Sequence, residues 1–219
     1  MRAPDYFRQR DGVSPTYGSK GFWDMYLPLC TLTLASGRLM LGDRLFIPGG
    51  FRCVTVRVPT GHFLVEVRGV AYGSDKRVAG VRAYHARSQP IRGPVCGPIS
   101  IDSGVAALCD AGLFRQAVER AKDVAERWYD RDVFKRFTRS CGWTHYTGDP
   151  EVRLPYAESG FGDGVYRVFH LVQGRRHVGL EAIFIQRHEP YPLGKPAELA
   201  LADLKGVASR IASRTRHEG

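Results

Sequence analysis

No apolar run in the sequence approaches the roughly 18 residues that cross a bilayer, so no membrane span is expected. Residues 1–12 are charged and contain no apolar stretch, so no secretory leader is expected either. None of the 5 cysteines stands in a C-x-x-C pair, and their number is odd. That argues against a disulfide frame and against a zinc knuckle. Cys30, Cys53, Cys96, Cys109 and Cys141 read instead as small buried hydrophobes of a cytoplasmic protein. The P-loop, the dinucleotide fingerprint, H-E-x-x-H and G-x-S-x-G are missing. So are the zinc-deaminase, helix-turn-helix and zinc-finger patterns. Most well-marked catalytic and nucleic-acid-binding classes are thereby set aside.

What is present is ordinary globular material. Of 219 residues, 43% are hydrophobic and 25% charged, enough to build a core. The 25 glycines and 13 prolines point to many turns and hence many strands. The net charge is +10, carried mainly by arginines spread along the chain, densest over 115–139 and 205–216. A generally basic surface favours an acidic partner.

Along the chain, residues 1–28 read as an irregular aromatic arm able to pack on its own domain or on a second subunit, which makes an oligomer possible. Residues 29–190 read as a single β-rich domain, and 191–219 as a basic C-terminal helix. Within the domain, 29–35 and 38–47 are extended. Val54, Val56 and Val58 alternate with Cys53, Thr55 and Arg57, and Phe63, Val65 and Val67 alternate in the next run. Pro59-Thr60-Gly61 between them predicts a hairpin, continued as a meander by a strand over 76–85. Residues 86–98 read as a loop. Leu113, Ala117, Ala121, Val124 and Trp128 recur at helical spacing, predicting one long central amphipathic helix over 111–128 behind an Asp110 N-cap. A shorter helix is expected over 130–137, then a loop over 140–164. A second hairpin follows over 165–172 and 177–186, and a final helix over 197–213. The expected class is α+β: antiparallel sheets, a meander plus a C-terminal hairpin, with one long central helix and a C-terminal helix. No internal repeat stands out.

Two acidic, glycine-flanked segments carry whatever chemistry the sequence offers. In the first, Asp102-Ser103-Gly104 makes a bend and Asp110 follows. Asp102 can bond nearby backbone N–H groups, and Ser103 needs a base such as His145 or His170 to become a nucleophile. The second is the turn Ser159-Gly160-Phe161-Gly162-Asp163-Gly164, whose alternate glycines open backbone angles closed to other residues. Its N–H groups can cradle an anion, or Asp163 can ligate a hard cation. Glu181, in an otherwise apolar strand, needs a partner. His62, His85, His170, His177 and His188 read as isolated strand residues.

Taken together, the segments resemble an uncharacterised bacterial family catalogued as domain of unknown function 4241. The matching parts are Ile101-Asp102-Ser103-Gly104, Asp110, Ser159 through Gly164 and Tyr166. Gly37 with Asp43, Pro59-x-Gly61-x-Phe63-x-Val65 and Arg77-Val78-Ala79 also match. The resemblance implies a fold and a functional surface but no activity. The expected function is therefore a non-enzymatic binding or accessory protein of bacterial or phage origin. It would recognise a protein partner or small ligand through Asp102, Ser103, Asp110, Ser159, Asp163 and Tyr166. One alternative is a metal-dependent hydrolase of a phosphate ester or nucleic acid, with Asp102, Asp110 and Asp163 as ligands. The other is a nucleic-acid-binding module using residues 115–139. The sequence names no cofactor.

Overall fold

A computed structural model describes residues 26–43, 53–72, 75–120, 141–146 and 149–185. In chain order they form β1 (Leu27–Leu34), β2 (Arg38–Asp43), β3 (Val54–Arg57), β4 (Gly61–Tyr72), β5 (Asp75–His85), β6 (Ile91–Ile101) and β7 (Val105–Asp110). Then come α1 (Ala111–Arg120), β8 (Cys141–Tyr146), β9 (Asp149–Glu158), β10 (Gly164–Gln173) and β11 (Arg176–Ile183). The strands make two antiparallel sheets, a six-stranded one ordered β1-β4-β5-β11-β10-β6 and a five-stranded one ordered β3-β2-β7-β9-β8.

The expected α+β class gives way to a mainly β architecture. Among the described residues the only helix is α1, ten residues long. The expected extension of the central helix to Trp128 lies outside the described residues. So do the helices expected over 130–137 and 197–213, and residues 1–25 of the arm. Two segments read as loops are strands. β6 occupies most of 86–98, and β8 with β9 occupies most of 140–164. Glycine and proline concealed β6, which forms the rim of its sheet. There Pro94 and Pro98 are tolerated because an edge strand needs only half its backbone bonds.

The expected hairpin across Pro59-Thr60-Gly61 is also overturned. β3 pairs with β2 in the small sheet, whereas β4 pairs with β1 and β5 in the large one. The turn is a corner that carries the chain from one sheet to the other, as happens in packed sandwiches. Four corners do this: 35–37, 58–60, 102–104 and 159–163. Alternation of apolar residues predicts that a strand has a buried face but not which sheet it joins.

The alternation does fix the core. Leu29, Leu32, Leu34, Phe63, Val65, Val81, Ala83, Ile99, Ile101 and Leu180 line the large sheet's inner face. They meet Leu39, Leu41, Ala106 and Leu108 from the small one. A fully buried aliphatic side chain contributes about 1.5–3 kcal/mol. β7 is buried on both faces because Ala107 and Cys109 point the other way, toward Phe114 and Ala117 of α1. The order is therefore large sheet, small sheet, helix.

The second half of the chain repeats the first, contrary to the sequence expectation. The large sheet is palindromic: β1, β4 and β5 on one side answer β6, β10 and β11 on the other. β2 and β7 meet at the centre of the match, Leu41 opposite Leu108, flanked by Leu39 opposite Asp110 and Asp43 opposite Ala106. β5 and β11 meet the same way, Arg82 opposite Glu181, flanked by Gly80 opposite Ile183 and Tyr84 opposite Gly179. An approximate two-fold relation thus equates Leu41 with Leu108 and Gly80 with Gly179. In sequence it appears as Leu32-Thr33-Leu34-Ala35-Ser36-Gly37 ending at Asp43, against Ile99-Ser100-Ile101-Asp102-Ser103-Gly104 ending at Asp110. α1 and β8 have no counterpart among the described residues of the first copy.

Candidate functional site

Each Ser-Gly corner is gripped by the aspartate at the end of the other copy's central strand. Asp43, fully buried, accepts the backbone N–H groups of Asp102 (2.6 Å) and Ser103 (2.8 Å) on Oδ2 and the Ser103 hydroxyl (2.8 Å) on Oδ1. Asp110 accepts the N–H groups of Ala35 (2.6 Å) and Ser36 (2.8 Å) on Oδ2 and the Ser36 hydroxyl on Oδ1. Gly37 and Gly104 close the corners at φ +67° and +66°, a left-handed turn for which glycine is the natural residue. Their carbonyls receive the N–H groups of Val58 and Ser159, each at 2.9 Å. Hence 102–104 and 159–164, paired from sequence alone, are neighbours in space.

Asp110 has a further duty. Its Oδ1 accepts from Gly112 (2.8 Å) and Leu113 (3.1 Å), capping α1 as expected. Burial pushes its carboxyl up, but the Ser36 hydroxyl and the converging N–H groups outweigh this and hold it below the usual range. A carboxylate so engaged has little capacity left for a metal, and it lies at the opposite end of β7 from Asp102. Among the described residues no group of three or more His, Cys, Asp or Glu side chains is placed to hold a metal ion.

The glycine turn is held from within. Ser159, fully buried, donates its hydroxyl to the Gly162 carbonyl (2.6 Å), and Gly162 N–H returns to the Ser159 carbonyl (3.2 Å). The Tyr166 hydroxyl lies between the same two carbonyls, 2.7 Å from Ser159 O and 2.6 Å from Gly162 O. Gly160, at φ +67°, lies so close to Ile185 that a Cβ there would sit 2.7 Å from its Cγ1. Ser159 and Tyr166 therefore build the turn, while Asp102, Phe161, Asp163 and Val165 are exposed around it.

Neither His145 nor His170 reaches Ser103. His145 pairs with Arg153, five residues along β9 from the Glu158 that adjoins Val105, roughly 17 Å at strand rise. His170 is six residues along β10 from the Gly164 that adjoins Ile101, roughly 20 Å. The Ser103 hydroxyl is spent on Asp43.

Glu181 belongs to a separate buried network on the large sheet's other face. Arg92 grips it through two nitrogens, one bond being 2.8 Å to Oε1, and the Tyr26 hydroxyl donates at 2.6 Å. Beside it Arg82 and Tyr84 hold Glu66 at 2.6 and 3.0 Å, with the Arg82 guanidinium 4.1 Å from the Tyr26 ring centre. Burial pushes Glu181 up, but Arg92 and Tyr26 leave it below the usual carboxylate range. Burial and then Glu181 drive the Tyr26 phenol far above its ordinary value. An ionised acceptor beside a donor that keeps its proton is a structural pair, not an acid–base couple.

The acceptor in the Asp102-Ser103-Gly104 bend is Asp43 from the other copy and not the expected Asp102. The available signal was the recurrence of Ser-Gly followed by Asp, at Ser36, Gly37 and Asp43 and again at Ser103, Gly104 and Asp110. His62 and His85, expected to be isolated, are brought together by the β4–β5 pairing, which sets Phe63 opposite His85. No protein-family model, curated protein or solved structure matches the chain.

Proposed function

We propose that the protein is a non-enzymatic binding or accessory protein whose recognition surface is the corner where 102–104 meets 159–164. The observation that supports this is a rigid, internally bonded turn pair presenting two carboxylates, Asp102 and Asp163, beside exposed Phe161 and Val165, the latter 70% exposed. An exposed aromatic and an exposed aliphatic among polar groups on a preorganised frame suit a protein partner, because little order is lost on docking. Against the metal-dependent hydrolase stands Asp110, whose oxygens serve the first corner and the helix cap. The nucleic-acid reading rests on 115–139, most of which lies outside the described residues.

The test compares the full-length chain with Phe161→Ala and Asp163→Thr as baits in extract of its native host, quantifying captured proteins. A partner retained by the wild type and lost from both variants is expected. The thermal midpoint of Asp163→Thr should stay near wild type, since exposed substitutions cost within about 0.5 kcal/mol. Capture unaffected by either change would sink the assignment of this corner. Capture of nucleic acid that weakens steeply with salt would favour the basic-module alternative.

A further inference from the structure

The first copy has its own version of the glycine-turn corner, and there the molecule is open. A cavity of about 270 Å³ is lined by Thr60, Gly61, His62, His85, Ala86 and Arg87. By the two-fold relation, Gly61, His62, His85 and Ala86 correspond to Gly164, Val165, Phe184 and Ile185. The correspondence is structural as well as positional. Phe63 meets His85 edge to face at 5.6 Å, as Tyr166 meets Phe184 at 5.2 Å. In the second copy the space is filled, because Ile185 reaches Gly160 and the corner is longer by two residues. In the first, Ala86 replaces the isoleucine and only Pro59 and Thr60 span the corner, so side-chain volume is withdrawn.

The wall is largely apolar, and the polar side chains along it can all donate to an anion. None of the six lining residues carries a carboxylate, whereas two histidines, an arginine and a threonine are among them. The Arg87 backbone N–H approaches His85 Nδ1 at 3.4 Å, which makes Nε2 the protonated nitrogen of the neutral ring. That Nε2 lies over Gly61, where a Cβ would stand 3.3 Å away, so the glycine is what leaves room for it. His62 turns Nδ1 to the Thr33 hydroxyl at 3.3 Å, directing Nε2 away from Thr33. We propose that this cavity binds the phosphate group of a small phosphate ester, with Arg87, His85 and His62 on the oxyanion. The volume exceeds what a bare phosphate needs, and the Gly61 and Ala86 wall suits a compact organic body. The site is distinct from the corner assigned to a protein partner and stands or falls without it.

The experiment titrates the full-length chain with inorganic phosphate, glycerol phosphate and acetate, following backbone amide signals by NMR. Saturable shifts confined to 60–62 and 85–87 are expected, with glycerol phosphate tighter than inorganic phosphate and acetate weakest. Inorganic phosphate binding as tightly as the ester would overturn the ester assignment and leave a free-phosphate site; acetate binding tightest would overturn the phosphate assignment. His85→Phe and His62→Val install the residues that the second copy carries at the same places, so the fold is expected to survive. Each, like Arg87→Ala, should weaken binding about tenfold or more, the usual scale for one charge-assisted hydrogen bond. Ala86→Ile should block the cavity without changing a charge, and abolish the shifts. Shifts scattered over the basic surface, or persisting in both His85→Phe and Ala86→Ile, would overturn the proposal. So would the absence of any shift with all three probes at tens of millimolar.

Discussion

The corner at 35–37 and the corner at 102–104 are built from the same parts. Each has a Ser-Gly turn, a hydroxyl and two N–H groups on one aspartate, and a left-handed glycine whose carbonyl receives the next corner's N–H. They differ at the solvent. Ala35 stands where the second copy has Asp102, and Thr60 where it has Asp163. The shared groups hold the two sheets at their crossing, while the divergent ones are exposed and contribute little to the fold. This separates two kinds of residue that looked alike in the sequence. Asp110 and Asp102 both lie in an acidic, glycine-flanked segment, yet one anchors the frame and the other decorates it.

The largest expected effects break the shared part. Asp110→Ala removes the acceptor of the Ala35 and Ser36 N–H groups and uncaps α1, for a loss of about 4 kcal/mol from two charge-assisted hydrogen bonds plus the cap. Asp43→Ala strands the corresponding pair at the second corner and should cost about 3 kcal/mol. Urea unfolding of both variants reads the difference, and an equal or larger loss for Asp43→Ala would show that the helix cap adds nothing.

Acid should act on Asp110 in this frame and on Glu181 in the network behind the large sheet. Asp110 and Glu181 have folded-state values below their unfolded ones. Their contribution is complete above the unfolded value near pH 4 and is lost as pH falls through the lower folded value. Thermal midpoints should therefore hold to about pH 5 and drop below pH 4. Asp110→Asn should flatten part of that drop; an unchanged acid slope would mean its carboxylate is not linked to folding.

The smallest effects separate the two corners themselves. Gly37→Ala and Gly104→Ala each force a side chain into a left-handed turn, costing about 1–2 kcal/mol. A Cβ at Gly37 would also stand 3.1 Å from the Val58 carbonyl, whereas at Gly104 its nearest neighbour is 3.8 Å away. Gly37→Ala should be the worse by calorimetry, and the reverse order would deny that the first corner is the tighter.

Much of this was legible in the residues. The alternation through Val54–Val58 and Phe63–Val67 placed the core, and Asp110 before Leu113 and Ala117 placed the start of α1. Ser159-Gly160-Phe161-Gly162 announced a tight turn. What was not legible is non-local. Nothing near Pro59-Thr60-Gly61 says that the flanking strands belong to different sheets, since that is decided by β2 and β1 as partners. Asp43 meets Ser103 only through the β2–β7 pairing, and His62 meets His85 only through β4–β5. The repeat was present in the letters but diluted by the α1–β8 insertion and by Leu-to-Ala and Arg-to-Glu exchanges that packing tolerates.

The palindromic strand order also has a consequence for how the molecule is made. Both central pairings, β2 with β7 and β5 with β11, join a strand to its own counterpart, so a first copy without its second leaves two edges that the second copy of another chain can fill. At roughly 5–20 residues per second, Arg82 waits several seconds on the ribosome for Glu181. In that interval the matching edge on a neighbouring nascent chain is as good a partner as the one still to be synthesised. Strand-exchanged dimers are therefore the expected by-product of crowded translation or of concentrated refolding. Size-exclusion chromatography of material refolded over a range of concentrations would reveal them.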